Sequence, residues 1–346
     1  MSEAADAPKP KPLPVKTKKP DTGPEFLVSA APHLADAATT QRIMFEVVLA
    51  MLPLFLVAIY MYRMYAVVLT VTTVAACLIT EAVANRIRGR SMDSLTDGSA
   101  IVTGVILAFS LPPAINPYMA FIGGVMAIAL GKAIFGGLGN NLFNPAMVGR
   151  AFLMVCFPAA MVTWTEPLTL HRIGDVSIDG VTMATPLYAA AKGLELPSLA
   201  QLFFGKVGGC VGETSALAAI IGGLYLLVRR VADWRQPLGV LLAAAAFAFI
   251  ATSGGVGARF HGVLFHLTSG ALMFGAFFIA TDYVGAPVTP RGRLIFGVGV
   301  GALVMLIRLY GAYPEGVMFA ILIMNALTPL IERWTVPTPF GGHVPA

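Results

Sequence analysis

Apolar residues fill most of this chain in blocks of 15 to 20, separated by short turns rich in Gly, Pro, Asn or Arg. A membrane-crossing helix needs about 20 mostly apolar residues. Ten segments qualify as candidates: 43–62, 65–84, 99–113, 116–134, 145–164, 212–229, 237–253, 262–281, 293–309 and 313–331. The third and fourth are separated only by "PAIN", which allows a tight hairpin or partly broken helices. The pattern breaks at two places. Residues 1–28 are polar and Pro-rich, and residues 165–211 form one long, soluble-looking loop. This alternation predicts an all-α polytopic membrane protein with about ten transmembrane helices.

The basic residues orient the spans. "NRIRGR", "RRVADWR" and "TPRGR" follow the second, sixth and eighth segments, and "YGAYPEG" after the ninth has no Lys or Arg. With an even number of spans and both termini inside, all three basic loops fall on the cytoplasmic face, as the positive-inside rule requires. The 165–211 loop then lies outside, which is periplasmic in a bacterium. The spans divide into two halves of five. "DGSAIVTGVILAFSLPP" opens the third segment, and "LTSGALMFGAFFIATDYVGAPVTP" occupies the eighth. Five is odd, so such repeats would be inverted, with Gly- and Pro-interrupted helices meeting near the midplane. The expected organisation is a disordered basic cytoplasmic tail at 1–28 and a first five-helix repeat at 29–164. A periplasmic loop follows at 165–211, then a second repeat at 212–334 and a cytoplasmic tail at 335–346.

Composition sharpens the class. The chain is 57% hydrophobic and 12% charged, against roughly 25% charged residues in soluble domains. Its net charge of +5 comes from lysines in a tail and arginines at span ends, so nucleic acid is not an expected partner and membrane lipid is. No cleavable signal peptide is expected, since the first apolar run starts near Ile43. Cys77, Cys156 and Cys210 are isolated, with no CxxC. A zinc or iron–sulfur site made by this chain alone is therefore not expected. The aromatics Tyr60, Tyr62, Tyr65, Trp164, Trp234 and Trp334 sit at span ends and are expected in the interfacial belt.

Within the long loop, "SIDGVTMATPLYAAAKG" reads as a turn at Asp179-Gly180 followed by a capped helix. Thr185 is the N-cap, Pro186 the first helical residue and Gly193 the terminator. A phosphate esterified to the Thr185 hydroxyl is compatible with the same geometry, because free N–H groups at a helix start favour an anion. A threonine cannot attack a phosphoanhydride unaided, so a separate transferase would be needed.

At these residues the chain resembles the RnfD/NqrB family of respiratory membrane subunits, on its RnfD side. "DGVTMATPL" resembles that family's flavinylation motif, whose final Thr carries FMN through a phosphoester. The resemblance implies covalent FMN on Thr185, with Asp179, Thr182 and Ala184 as motif positions. Met183 stands where a Gly commonly precedes the Ala-Thr pair. "SAAPHLADAATTQRIM", "GGLGNNLFNPAMVGRAF" and "FFIATDYVGAPVTPRGRLIFG" resemble further family segments, so the likeness runs from about residue 29 to 330. It implies a subunit of the Rnf complex, an ion-translocating electron-transport machine between ferredoxin and NAD⁺ in the bacterial inner membrane. The implied partners are a second FMN-bearing subunit, membrane iron–sulfur subunits and, for maturation, a flavin transferase. An NqrB-like subunit of a Na⁺-pumping quinone reductase is the neighbouring alternative. A non-redox channel or transporter of the same architecture is the alternative from another class.

The remaining polar residues supply further candidates. Asn140, Asn141 and Asn144 could contact a second, non-covalent flavin such as riboflavin, or a quinone, since Asn offers donors and acceptors to a polar ring edge; they equally suit a turn with an N-cap before Pro145. Asp282, Glu46 and Glu81 are candidates for an ion path because carboxylates in or near spans are costly. Glu213, which opens the sixth segment, is weighed beside them. Asp97 is expected as an N-cap. His261 and His266, five residues apart, do not share a helix face well. "GGLGNN" lacks the strand and helix of a dinucleotide fold, so NAD⁺ is expected to react on another subunit.

Overall fold

A computed structural model describes residues 39–90, 92–168, 184–311 and 315–337. Every regular element among them is helical. In chain order these are α1 (Thr40–Ala50), α2 (Leu52–Tyr62), α3 (Met64–Ile87), α4 (Ser99–Phe109), α5 (Pro117–Ile128), α6 (Pro145–Cys156) and α7 (Pro158–Met161). There follow α8 (Pro186–Lys192), α9 (Leu199–Phe204), α10 (Ala216–Val228), α11 (Arg235–Ala251), α12 (Val256–Thr268), α13 (Leu272–Phe274), α14 (Pro290–Tyr310) and α15 (Val317–Thr335).

Each of the ten apolar segments is helical, but they differ in length. Among the described residues, four spans are long and apolar enough to cross a membrane: Thr40–Tyr62, Met64–Ile87, Pro290–Tyr310 and Val317–Thr335. A fifth is made if α12 and the helix from Leu272 to Ile279, bent 65° apart, count as one. The protein is thus a multi-pass, all-helical membrane protein whose remaining apolar helices are short. Large apolar residues that face outward, such as Val155, Val228 and Ile250, suit a lipid surrounding.

The short helices end for identifiable reasons. The segment expected to run to residue 113 stops at Phe109. There the Phe109 and Leu111 carbonyls are taken by the Gly212 and Val211 amides, at 2.7 and 3.1 Å, so the chain before α10 enters the bundle. Glu213 lies in that entering chain rather than on a helix, because α10 starts at Ala216. The expected helix over 145–164 breaks at Phe157, because Pro158 has no amide to donate. The segment over 262–281 turns at Ser269 and at Gly270, whose φ of 65° suits glycine. Two π-helical turns, Ala129–Ala133 after α5 and Gly275–Ile279 after α13, interrupt their helices; such turns often mark functional sites.

Backbone proximity holds α11 against α14. A Cβ at Gly297 would lie 2.4 Å from the Gln236 carbonyl, and one at Gly301 would lie 2.3 Å from the Val240 carbonyl. Small residues four apart let membrane helices meet in this way. Gly301→Val is expected to force the pair apart and cost about 1–3 kcal/mol. Thermal unfolding in detergent reads this as a lowered midpoint, whereas an unchanged midpoint means the two helices part without cost.

Candidate functional site

The π-turn at 129–133 and the Asn-rich turn after it shape a cavity with α1, α4 and the segment 278–284. Gly131 sits against Pro145, where a Cβ would meet the Pro145 Cα at 2.7 Å. That close approach brings Lys132 to the cavity wall beside Ser99, Asn141, Asn144 and Asp282.

Asn144 is the N-cap of α6, its Oδ1 accepting from the Met147 amide at 3.2 Å. Its Nδ2 donates to Asp282 Oδ2 at 3.1 Å, and its backbone amide donates to Asn325 Oδ1 at 3.4 Å. Asn325 in turn donates to the Gly285 carbonyl at 2.7 Å. One asparagine thus ties α6 to α15 and to the loop that carries Asp282. Burial pushes the Asp282 carboxyl up, against the opposing pull of the Val284 and Gly285 amides and Asn144. Asn141 donates to the Phe143 carbonyl at 3.1 Å, while its Oδ1 is buried and has no partner. An orphaned acceptor in a cavity wall is costly unless a ligand or water serves it.

Glu81, from α3, stands behind this wall. Lys132 Nζ reaches Glu81 Oε1 at 2.7 Å and Ser99 Oγ at 2.6 Å, and Ser94 Oγ donates to the same carboxylate oxygen at 3.1 Å. Both members of the pair are buried. Glu46 is tied instead to Arg229 and Tyr225 of α10. Asn140 is exposed and is not brought to the cavity. Asp97 precedes the N-cap by one residue: its Oδ1 accepts from the Ser99 amide at 2.7 Å, and Gly98 takes the cap position.

The inner cavity, about 70 Å³, shares Val231, Ala232, Thr281, Asp282 and Tyr283 with a wider vestibule of about 320 Å³. Arg230, Asp233, Trp234 and Arg293 stand at that vestibule. Arg293 Nη1 and Arg235 Nη1 hold Asp233 Oδ2 at 2.7 and 3.0 Å. Together the two spaces reach the size range of small-molecule sites.

A second polar region lies at the other end of α2. Thr185 is the N-cap of α8, its Oγ1 accepting from the Tyr188 amide at 3.2 Å, and Gly193 closes the helix at φ 67°. Thr185 itself is buried, and Leu187 packs with Leu202, Val207 and Phe265. A cofactor on the Thr185 hydroxyl therefore needs the neighbouring chain to give way. Among the described residues, buried polar atoms without partners lie near this region: Ser269 Oγ, His266 Nδ1 and Arg308 Nε. Such unsatisfied donors fit a polar group brought to this end. Asp179 and Thr182 lie outside the described residues; Ala184 adjoins the cap. Tyr62, expected in the interfacial belt, is wholly buried because the end of α2 faces Glu213 and Cys210 rather than lipid.

The model of the NQR2, RnfD, RnfE family matches residues 27–341. The chain is 40% identical over 326 residues to the D subunit of the proton-translocating ferredoxin:NAD(+) oxidoreductase complex of Clostridium ljungdahlii, covering 91% of this chain and 96% of that one. It is 42% identical over 319 residues to the D subunit of the Na(+)-translocating ferredoxin:NAD(+) oxidoreductase complex of Acetobacterium woodii, covering 91% and 95%. A third relative, the D subunit of the ion-translocating oxidoreductase complex of Stutzerimonas stutzeri, is 42% identical over 330 residues, with 88% and 93% covered.

Proposed function

The chain belongs to the NQR2, RnfD, RnfE family, and from that premise we propose that it is the D subunit of an ion-translocating ferredoxin:NAD⁺ oxidoreductase complex. The observation that carries this is near-full-length similarity at 40–42% identity to subunits of that name. The protein works as one membrane subunit of a multi-subunit oxidoreductase, and NAD⁺ reacts elsewhere in the assembly. Two relatives at nearly equal identity are named for different ions.

Thr185 carries FMN as a phosphoester, attached by a flavin transferase. The motif "DGVTMATPL" and the helix-start position of its final Thr support this reading. A second, non-covalent flavin of the riboflavin type sits in the cavity. A bound flavin supplies one-electron relay chemistry between partners. Asn141 Oδ1 and Asn144 would hold its polar edge, Lys132 would offer a cation held in place by Glu81, and the apolar wall from Val102, Ile106 and Phe278 would exclude water. Asp282 orients Asn144 through their 3.1 Å hydrogen bond. Asp282, Glu46 and Glu81 remain the candidates for ion passage, with Glu81 and Glu46 each compensated by a basic partner.

In the membrane we place both termini in the cytoplasm and the Thr185 loop on the periplasmic side of the bacterial inner membrane. The ten apolar helices are then spans of two inverted five-helix repeats; the two π-turns, both at the cavity, support that symmetry. The neighbours in the complex are a second FMN-bearing subunit and membrane iron–sulfur subunits.

The test removes this chain from the complex in membrane vesicles and measures ferredoxin-driven NAD⁺ reduction with ion uptake. Both are expected to vanish and to return with the wild-type chain. With Asn144→Leu, the complex is expected to assemble but to retain only a trace of extractable flavin. A full complement of extractable flavin in that variant would remove the cavity from the reading.

A further inference from the structure

At the Thr185 end of the bundle, Glu213 and Glu315 converge on Arg150. Arg150 Nη2 reaches Glu315 Oε2 at 3.0 Å, and Nη1 lies 3.7 Å from Glu213 Oε1. Glu213 Oε2 accepts from the Cys210 amide at 3.3 Å. Cys210 Sγ and a carboxylate oxygen of each glutamate lie within 4.8 Å of one another. Two carboxylates at this spacing repel unless something lies between them.

The hydrogen bonds leave that place open. Among the described residues, Glu213 Oε1 and Glu315 Oε1 are buried with no hydrogen-bond partner, and so is the hydroxyl of the fully buried Tyr62, whose ring end feels the charge of Glu213. A carboxyl group that gains a proton becomes a donor. One proton on the pair therefore supplies a donor between the two carboxylate oxygens, beside the O–H that Tyr62 already carries.

Charge gives the pair a direction. Arg150 and Arg308 face Glu213 and Glu315, so the group is neutral with both carboxyls ionised, and one added proton leaves it at +1. The other groups packed here are the Cys210 thiol, which burial keeps protonated, Tyr62 of α2 and His266 of α12. Arg308 is the link to α8. It donates to the His266 and Ser269 carbonyls at 2.6 and 2.8 Å. A Cβ at Gly270 would lie 3.2 Å from Arg308 Nη2 and 2.9 Å from Leu187 Cδ1, two residues past Thr185. In a low-dielectric interior, a negative charge arriving at this helix raises the proton affinity of carboxyls nearby.

We propose that Glu213 and Glu315 form a proton-accepting carboxyl pair that takes up one proton from the outer aqueous phase when an electron reaches the cofactor at Thr185. The inference rests on the reading that Thr185 carries flavin. The electron comes from the one-electron donor that the complex oxidises, of the ferredoxin class. The only bond formed on this chain is O–H on a glutamate oxygen, and it breaks when the electron leaves. Burial, together with the Glu213 charge, holds the Glu315 carboxyl well above the usual carboxylate range, which suits it as the proton carrier.

Two measurements on the purified complex test this. In a flavin-free complex carrying Thr185→Val, infrared difference spectra across a pH step are expected to show a protonated-carboxyl band that titrates, shifts in D₂O and disappears in Glu315→Gln. In the flavin-loaded complex, the midpoint potential of the covalent flavin is expected to follow pH with one proton per electron, and the dependence to flatten in Glu315→Gln. Should that variant fail to assemble, Glu213→Gln serves both measurements. A wild type without the titrating band overturns the proposal, as does an unchanged pH slope in a variant that has lost the band. If the flavin is absent from wild type, the chain is dark in a denaturing gel. The flavin reading then fails on its own, seen separately from the infrared result, and the redox link falls with it.

Discussion

Thr185→Val is expected to leave this chain dark in a denaturing gel, while wild type expressed beside its flavin transferase is expected to fluoresce. Valine keeps the branched shape and extended backbone that the cap position uses, but has no hydroxyl to esterify. The substitution also removes the hydrogen bond from the Tyr188 amide, at a cost of about 1 kcal/mol. That loss is borne locally, because α8 stays anchored through Leu187 against Leu202, Val207 and Phe265. The complex is therefore expected to assemble, to lose its covalent flavin entirely and to pass electrons from ferredoxin to NAD⁺ at background level. Thr185→Ser separates attachment from folding, since it retains a hydroxyl and a cap. A valine variant that still glows moves the acceptor elsewhere, with Thr182 next. A dark wild type beside an active transferase leaves Thr185 as a helix cap only.

Lys132→Met is expected to destabilise the protein by about 3–5 kcal/mol, because it strands Glu81 in the interior without its counter-ion. The pair is 2.7 Å apart, with side-chain exposures of 3% and 5%. Glu81→Leu alone strands the lysine in the same way. The double substitution removes both charges and is expected to recover most of the loss, since replacing a whole buried pair by apolar groups is close to neutral. A double-mutant cycle on thermal or denaturant unfolding in detergent reads the coupling. Single variants that each cost under about 1 kcal/mol would mean that water reaches the pair and solvates the survivor. The double variant carries a second readout. With the cation gone from the cavity wall, the extractable flavin is expected to fall even where stability has returned.

The helices were legible because their signals are local. Apolar runs marked the segments that prove helical, four or five of them long enough to span, and Thr185, Pro186 and Gly193 marked both ends of α8 within nine residues. Asn144 read as a cap for the same reason. Its bond to Asp282, 138 positions away, was not legible, because no local pattern pairs a turn after α5 with one after α13. Lys132 and Arg150 were missed as site residues. Each is a lone cation inside an apolar block, which is the signal that a counter-charge must be waiting in the interior. Glu315 was likewise passed over as part of a loop that has no Lys or Arg. Tyr62 misled because an aromatic at a span end looks the same whether it faces lipid or a buried carboxylate. The short helices were misjudged because hydropathy counts apolar residues and not carbonyls. It could not see that Val211 and Gly212 would claim the end of α4.

The shortness of α6 has an electrical consequence. Asn144 and Arg150 are six residues apart on that helix, about 9 Å at 1.5 Å per residue. Of their partners, Asn325 lies eight residues past the start of α15 at Val317, about 12 Å on the same rise, and Glu315 precedes that start. The apolar septum between the cavity and the carboxyl pair is thus a third to a half of the ~30 Å hydrocarbon thickness of a bilayer. An elementary charge crossing it exchanges about that fraction of the ~2.3 kcal/mol per 100 mV of membrane potential. On the flavin placement proposed above, an electron hop between the two ends would sense that share of the membrane potential.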